Sequence, residues 1–120
     1  MKRVLVVEDT EDNRQIIRDL LTSAGYEMIE AINGEQGAAM AAEHRPDLIL
    51  MDIQLPVLDG YEATRRIKAD PALRHIPVIA VTSYALSGDE EKTRAAGCDA
   101  YVAKPFSPRL LLAKVREFIG

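Results

Sequence analysis

The sequence predicts an α/β fold: a doubly wound, five-stranded parallel sheet with helices on both faces. Three short runs are continuously apolar, as is typical of strands that are buried on both faces of a parallel sheet. They occupy residues 4–7, 48–51 and 78–81. Stretches with helical spacing of apolar residues lie between them, and this alternation indicates right-handed crossovers between parallel strands.

Length and composition restrict the class of protein. The 120 residues fit one domain, over residues 1–120, whose five strand–helix units leave no room for an output domain. The net charge of −4 argues against direct binding of nucleic acid, and the longest apolar run is too short to span a membrane. A single cysteine, Cys98, excludes an internal disulfide and a cysteine-based zinc site. We therefore expect a cytoplasmic protein without a secretion signal.

Two further strands complete the predicted sheet. Residues 27–31 are more polar than the apolar runs and read as an edge strand, and residues 100–103, which include Tyr101, read as another. With the usual strand order 2-1-3-4-5, the three apolar runs occupy the centre of the sheet.

The first two helices carry clear boundary signals. A helix over residues 10–24 is followed by Gly25, a residue that commonly ends helices. Asn33 and Gln36 form a capping-box pattern for the second helix, and Pro46 stops it.

Similar signals begin the other three helices. The capping pairs are Asp59 with Glu62, before a helix over residues 61–69, and Ser87 with Glu90, before a helix that ends near Gly97. Ser107 followed by Pro108 is an N-cap with proline at the first helical position. The last helix is expected to bury Leu111, Leu112, Val115 and Ile119.

Polar side chains follow the predicted strands where the chain leaves the sheet. In open α/β sheets, ligands bind beyond the carboxyl ends of the strands. The residues there are Glu8 and Asp9 after the first strand, Asp52 after the third, Thr82 and Ser83 after the fourth, and Lys104 and Pro105 after the fifth. The sequence thus predicts three carboxylates, a hydroxyl group and an ammonium group at one edge of the sheet.

This set of groups suits phosphoryl transfer. Three clustered carboxylates repel one another unless a cation is present, and oxygen ligands of this kind suit Mg²⁺. Lys104 supplies a fixed positive charge, Thr82 can donate a hydrogen bond to an anion, and an aspartate can act as the nucleophile. Each residue alone is readily explained as a helix cap, a turn residue or a solvated charge. The joint placement of all five residues at strand ends on one edge of the sheet is not explained in this way.

The ordered motifs resemble those of response-regulator receiver domains, the CheY-like domains of bacterial two-component signalling. The resemblance covers essentially the whole chain and is greatest to single-domain regulators of the DivK type. The matching motifs are Val-Val-Glu8-Asp9, Leu-Ile-Leu-Met-Asp52-Ile-Gln-Leu-Pro56-Val-Leu-Asp-Gly60, Ile-Ala-Val-Thr82-Ser83 and Ala-Tyr101-Val-Ala-Lys104-Pro105-Phe106.

The resemblance implies a role for each site residue. Asp52 would accept a phosphoryl group from a histidine of a sensor kinase or phosphotransfer protein. Asp9 and Asp52 would bind Mg²⁺ together with the backbone carbonyl of Gln54, and Glu8 would act through a metal-bound water. Lys104 would pair with Asp52 and then with the phosphoryl oxygens, and the Lys104–Pro105 bond would be cis.

The resemblance also implies a switch made of Thr82 and Tyr101. Thr82 would move to bind the phosphoryl group, and Tyr101 would rotate into the space that it leaves. This movement would repack the surface of the fourth helix, fifth strand and fifth helix, where an unknown target protein would bind. The helical segment over residues 85–96 has few large apolar anchors and is the expected moving part. Gln54 and Tyr84 are expected to border the mouth of the pocket.

Four other readings of the chain stay open. A Mg²⁺-dependent phosphatase with an aspartate nucleophile would want a second acid two residues after Asp52, where Gln54 stands. Flavin mononucleotide binding on the same topology would want a glycine-rich loop, and the loop after the first strand is acidic instead. The other two are a receiver fold that is never phosphorylated and a receiver domain taken from a longer regulator. The intact set of Asp9, Asp52, Thr82 and Lys104 argues against the first of these two.

Overall fold

Among the residues that the structure describes, five parallel strands form one sheet, in the order β2-β1-β3-β4-β5. The computed structural model of the protein describes residues 1–82 and 89–120. The strands are β1 (Arg3–Val7), β2 (Glu27–Ala31), β3 (Leu48–Asp52), β4 (Val78–Thr82) and β5 (Ala100–Ala103). The predicted fold class, strand order and edge strands are confirmed. Asp52 and Thr82 prove to be the last residues of their strands rather than the first residues after them.

In the part of the chain that the structure describes, four helices lie between consecutive strands and a fifth follows β5. They are α1 (Glu11–Ser23), α2 (Gly34–His44), α3 (Gly60–Ala69), α4 (Asp89–Ala96) and α5 (Pro108–Ile119). Helix α3 begins one residue before the predicted start, because Asp59 is its N-cap. The predictions for Tyr84 at the mouth of the site, for Ser87 as a helix cap and for residues 85–88 of the fourth helix lie outside the described residues. In the described ranges, no helix is long and apolar enough to cross a membrane.

The caps of α2 and α5 are formed by the predicted residues. One contact at the start of α2 and the burial of one residue in α5 differ from the prediction. Asn33 accepts a hydrogen bond from the Gln36 amide N–H at 2.8 Å. The Gln36 side chain, however, accepts from the N–H of Ile32 at 2.7 Å, one residue before the cap that a capping box would reach. In α5, Leu112 is only half-buried, because it lies at the margin of a core formed by Leu111, Val115 and Ile119.

The core has two layers, one on each face of the sheet. Alternate residues of a strand point to opposite faces, so the central strands contribute to both layers. One layer packs α1 and α5 against Val4, Val6, Leu48, Leu50 and Ile79. The other packs α2 and α3 against Leu5, Val7, Ile49, Met51 and Val78.

The same alternation divides the predicted site residues between the two faces. One face of the sheet points toward α1 and α5, and Glu8, Asp52 and Lys104 belong to it. They continue the alternate residues of their strands, which are Val4 and Val6, Leu48 and Leu50, and Ala100 and Val102. Thr82 belongs to the opposite series with Val78, and its register partner is Ala103, two residues after Tyr101. Thr82 and Tyr101 therefore share the face on which α4 contacts β5.

Candidate functional site

The ammonium group of Lys104 connects two buried carboxylates at the carboxyl ends of the strands. Its Nζ lies 3.0 Å from Asp52 Oδ2 and 3.2 Å from Glu8 Oε1. The side chains of Glu8 and Asp52 are each only 4% exposed, and that of Lys104 is 18% exposed. Hydrogen bonds between charged groups are strong where little water competes, so these three residues hold one another in place.

Backbone contacts at the ends of β3 and β4 position the charged side chains. The N–H of Lys104 donates to the carbonyl of Thr82 at 2.7 Å, and the N–H of Ile53 donates to the carbonyl of Val81 at 3.1 Å. Thr82 itself is fully buried. The Lys104–Pro105 peptide bond is cis, as the resemblance implied.

Three carboxylates form an acidic cluster. Oxygen atoms of Glu8, Asp9 and Asp52 all lie within 4.8 Å of one another. Partial burial of Asp9, together with the hydrogen bond and charge of Glu8, raises the pKa of the Asp9 carboxyl above its ordinary value of 3.8. The cluster therefore resists further negative charge and favours a cation. Hard oxygen donors of this number and spacing fit Mg²⁺.

The loop after β3 closes tightly around Asp52. The N–H of Gln54 donates to Asp52 Oδ1 at 3.1 Å, and the N–H of Gly60 donates to the carbonyl of Ile53 at 3.0 Å. A Cβ atom at position 60 would lie 2.2 Å from the Asp52 carbonyl oxygen, so only glycine fits there. Gln54 is exposed beside the carboxylate, where the sequence placed it.

Two functional contacts were not predicted from the sequence. Asn13 Nδ2 donates to Glu8 Oε1 at 3.0 Å, and Arg14 Nη1 donates to the Glu8 carbonyl at 2.7 Å. Both residues belong to the first turn of α1, which follows Glu8 after a short turn. Polar residues at the start of a helix that follows a functional strand end are the signal that could have indicated them.

Tyr101 lies apart from the acidic cluster, on the flank of the sheet. It is half-buried, and it borders a cavity of about 220 Å³ together with Thr93 and Arg94 of α4. It also borders a groove beside Leu110 and Lys114 of α5. Tyr101 is thus in contact with the surface between α4 and α5, two residues along β5 from the partner of Thr82.

The arrangement can neutralise and orient a transferring phosphoryl group. Asp52 offers a nucleophilic oxygen at the strand end, and Lys104 supplies positive charge next to it. The remaining carboxylates can hold a divalent cation that balances the added negative charge.

The family model and the similar proteins of known function indicate the same family. Residues 4–116 match the family model for the response regulator receiver domain. The chain is 50% identical over 119 residues to the polar-differentiation response regulator DivK of Brucella anthropi, covering 99% of this chain and 97% of that protein. The corresponding protein of Brucella ovis is 49% identical with the same coverage.

Solved structures show the same fold. The receiver domain of a sensor histidine kinase from Pseudomonas aeruginosa, with a magnesium ion coordinated in its active-site cleft, is 43% identical. It superposes with a TM-score of 0.92 over 99% of this chain and 98% of its own. The chemotaxis protein CheY4 of Vibrio cholerae is 28% identical, with a TM-score of 0.93 and 99% of each chain covered.

Proposed function

Since this chain belongs to the response regulator receiver domain family of two-component signalling, we propose that Asp52 is its phosphorylation site. The phosphoryl group comes from a phosphohistidine on a partner protein. Receiver domains of response regulators act with histidine kinases in general, and the partner here is a sensor histidine kinase or a histidine phosphotransfer protein. The pairing of buried Asp52 with Lys104 at 3.0 Å, beside two further carboxylates, is the observation that carries this proposal.

The reaction is a transfer between two nucleophiles. An Asp52 carboxylate oxygen attacks phosphorus, an O–P bond forms, and the N–P bond of the phosphohistidine breaks. The electron pair of that bond returns to the imidazole ring, which takes a proton from water. Lys104 stays protonated and neutralises charge on the phosphoryl oxygens, and the buried Thr82 donates a hydrogen bond to one of them. The chain promotes its own phosphorylation and dephosphorylation and acts on no separate substrate.

The acidic cluster is proposed to hold Mg²⁺. Asp9 and Asp52 would bind the ion with the backbone carbonyl of Gln54, and Glu8 would bind through water. When bound, the ion would supply positive charge that offsets the negative charge of the carboxylates and of the phosphoryl donor. A magnesium ion in the active-site cleft of the similar receiver domain from Pseudomonas aeruginosa supports this assignment.

Phosphorylation is proposed to change the surface between α4 and α5. Thr82 lies on the α4 face of the sheet, and Tyr101 lies two residues before its register partner on β5. When Thr82 turns toward the phosphoryl oxygens, Tyr101 can move toward the space that it leaves. A target protein in the cytoplasm would then recognise the altered surface around Leu110 and Lys114. The negative net charge supports a protein partner over nucleic acid or a membrane.

Mass spectrometry tests the proposed phosphorylation. Incubation with Mg²⁺ and acetyl phosphate, a small acyl-phosphate donor, should add one phosphoryl group to the protein. The adduct should be absent from Asp52→Asn and present in Asp47→Ala, which alters an exposed aspartate that bonds the backbone N–H of Arg3. Failure of the unaltered chain to gain a phosphoryl group from any donor in the presence of Mg²⁺ would refute the proposal.

A further inference from the structure

We propose that Asn13 is a positioning residue, which orients the Glu8 carboxylate toward the cation site and leaves Lys104 available to Asp52. The inference rests on the proposed function, because it concerns the metal and phosphoryl site. The hydrogen bond from Asn13 Nδ2 to Glu8 Oε1, at 3.0 Å, is the contact from which it starts.

Hydrogen bonds to both of its oxygens hold the Glu8 carboxylate. Oε1 accepts from Asn13 at 3.0 Å and from Lys104 at 3.2 Å, and Oε2 accepts from the backbone N–H of Thr10 at 3.3 Å. Because the Glu8 side chain is only 4% exposed, water cannot easily replace a lost partner. The orientation of the carboxylate therefore depends on these few donors.

The backbone under Glu8 is held independently. Arg14 donates to the Glu8 carbonyl at 2.7 Å, and the Arg14 side chain is only 11% exposed. Ion pairs with Glu11 and Glu30 fix the Arg14 guanidinium in turn. With the main chain held by Arg14, the freedom that remains at Glu8 is rotation of its side chain, and Asn13 restricts that rotation.

The choice of an amide at position 13 follows from charge. An amide donates a hydrogen bond without adding a charge to the carboxylate cluster. A lysine or arginine there would neutralise part of the cluster and weaken its attraction for a divalent cation. Without the Asn13 donor, Glu8 Oε1 would rely more on Lys104, which would be drawn away from Asp52.

The first test measures Mg²⁺ affinity by calorimetry on the full chain. Asn13→Ala should bind Mg²⁺ about tenfold more weakly, at the lower end of what losing a residue that orients a metal ligand costs. Gln15→Ala is the matched control, because Gln15 is an exposed amide on the same helix that bonds Asp19 at 3.1 Å. It should leave Mg²⁺ affinity unchanged. Equal affinity for Asn13→Ala and the unaltered chain would overturn the proposal.

The second test needs no metal and no activity. In NMR spectra of the metal-free protein, the Asn13 side-chain amide protons should show the downfield shift of a hydrogen bond to a carboxylate. Glu8→Leu should abolish that shift, whereas Glu35→Leu, which removes an exposed carboxylate in the first turn of α2, should preserve it. An Asn13 amide signal that is insensitive to Glu8→Leu would also overturn the proposal, even if Asn13→Ala failed to fold.

Phosphorylation kinetics separate this inference from the proposed function. The Mg²⁺ concentration for half-maximal phosphorylation should rise about tenfold in Asn13→Ala, with a much smaller change in the rate at saturating Mg²⁺. If the unaltered chain is phosphorylated and Asn13→Ala needs no more Mg²⁺ than it does, only the role of Asn13 is wrong. If the unaltered chain is not phosphorylated while the affinity and NMR results hold, only the proposed function is wrong.

Discussion

Lys104 Nζ lies 3.0 Å from Asp52 Oδ2, although the two residues are 52 positions apart and their strands are not neighbours. Strand β4 separates β3 from β5, so the lysine side chain must reach across the end of β4. The Lys104 N–H bonds the Thr82 carbonyl at 2.7 Å, which fixes the backbone from which the side chain extends. The pair therefore links β3, which ends in Asp52, to the edge strand that carries Tyr101.

Loss of Lys104 should destabilise the protein when metal is absent. Lys104→Met leaves the buried carboxylates of Glu8 and Asp52 without their shared cation, and should lower the free energy of unfolding by about 2 kcal/mol in a chelating buffer. Urea denaturation measures the change, and added Mg²⁺ should recover part of it. Lys114→Met is the control, because its exposed ion pair with Glu117 at 3.5 Å contributes little. Equal stability of the two variants without metal would contradict this account.

The Lys104 pair should also make stability fall in alkaline solution. Burial lowers the pKa of Lys104, but the hydrogen bond and charge of Asp52, with those of Glu8, outweigh it and raise that pKa above 10.5. Because this pKa is higher in the folded than in the unfolded state, the protonated lysine adds stability below pH 10.5. The added stability is lost as the pH rises through the pKa of the folded state. Denaturation across that range should show a steeper decline for the unaltered chain than for Lys104→Met. If the free energy of unfolding fell equally steeply for both proteins, folding would not raise the pKa of Lys104.

Gly60→Ala should disrupt the loop that closes around Asp52. The new Cβ would meet the Asp52 carbonyl oxygen at 2.2 Å, and a backbone atom cannot move without shifting β3 or α3. We expect a loss of roughly 3 kcal/mol in unfolding free energy together with slower phosphorylation. Gly37→Ala is a graded comparison, since its Cβ would meet the two methyl groups of Val7 at 2.8 and 3.0 Å, and a side chain can shift more easily than the backbone. A cost for Gly60→Ala no greater than for Gly37→Ala would be inconsistent with the backbone contact.

Beryllofluoride, a phosphoryl mimic, should produce NMR shift changes at two distances from Asp52. The first set surrounds Asp52 and Lys104, and the second includes Tyr101 and Leu110 on the flank of the sheet. Thr82→Ala should preserve the first set and greatly reduce the second, because the proposed movement of Tyr101 depends on Thr82. Shift changes that remain confined to the pocket in the unaltered chain would rule out transmission to that surface.

The fold and the charged residues of the site follow closely from local patterns in the sequence. The continuous apolar runs before Asp52 and Thr82 indicate buried parallel strands, and strand-end positions place Glu8, Asp52 and Lys104 together. The contacts of α1 with Glu8 were not predicted, because the polar residues that begin the helix reach Glu8 only through the way the helix turns after β1. Asn13 and Arg14 look like ordinary helix-surface residues until that turn brings both of them back to Glu8.

The same limit applies to the finer details of capping. The Asn33 and Gln36 pattern predicts the start of α2, yet the Gln36 side chain bonds Ile32 rather than the cap residue. Sequence spacing specifies which residues are near the helix end, whereas backbone direction before the cap decides which N–H is within reach.

Chemical mapping of the phosphorylated residue is the most direct test of the central claim. Borohydride reduces an aspartyl phosphate to homoserine, and peptide mass spectrometry then identifies the residue. After phosphorylation with acetyl phosphate and Mg²⁺, homoserine should be found at position 52 and at neither Asp9 nor Asp47. Homoserine at Asp9 or Asp47, or a stable phosphoryl adduct that yields no homoserine at position 52, would contradict the account.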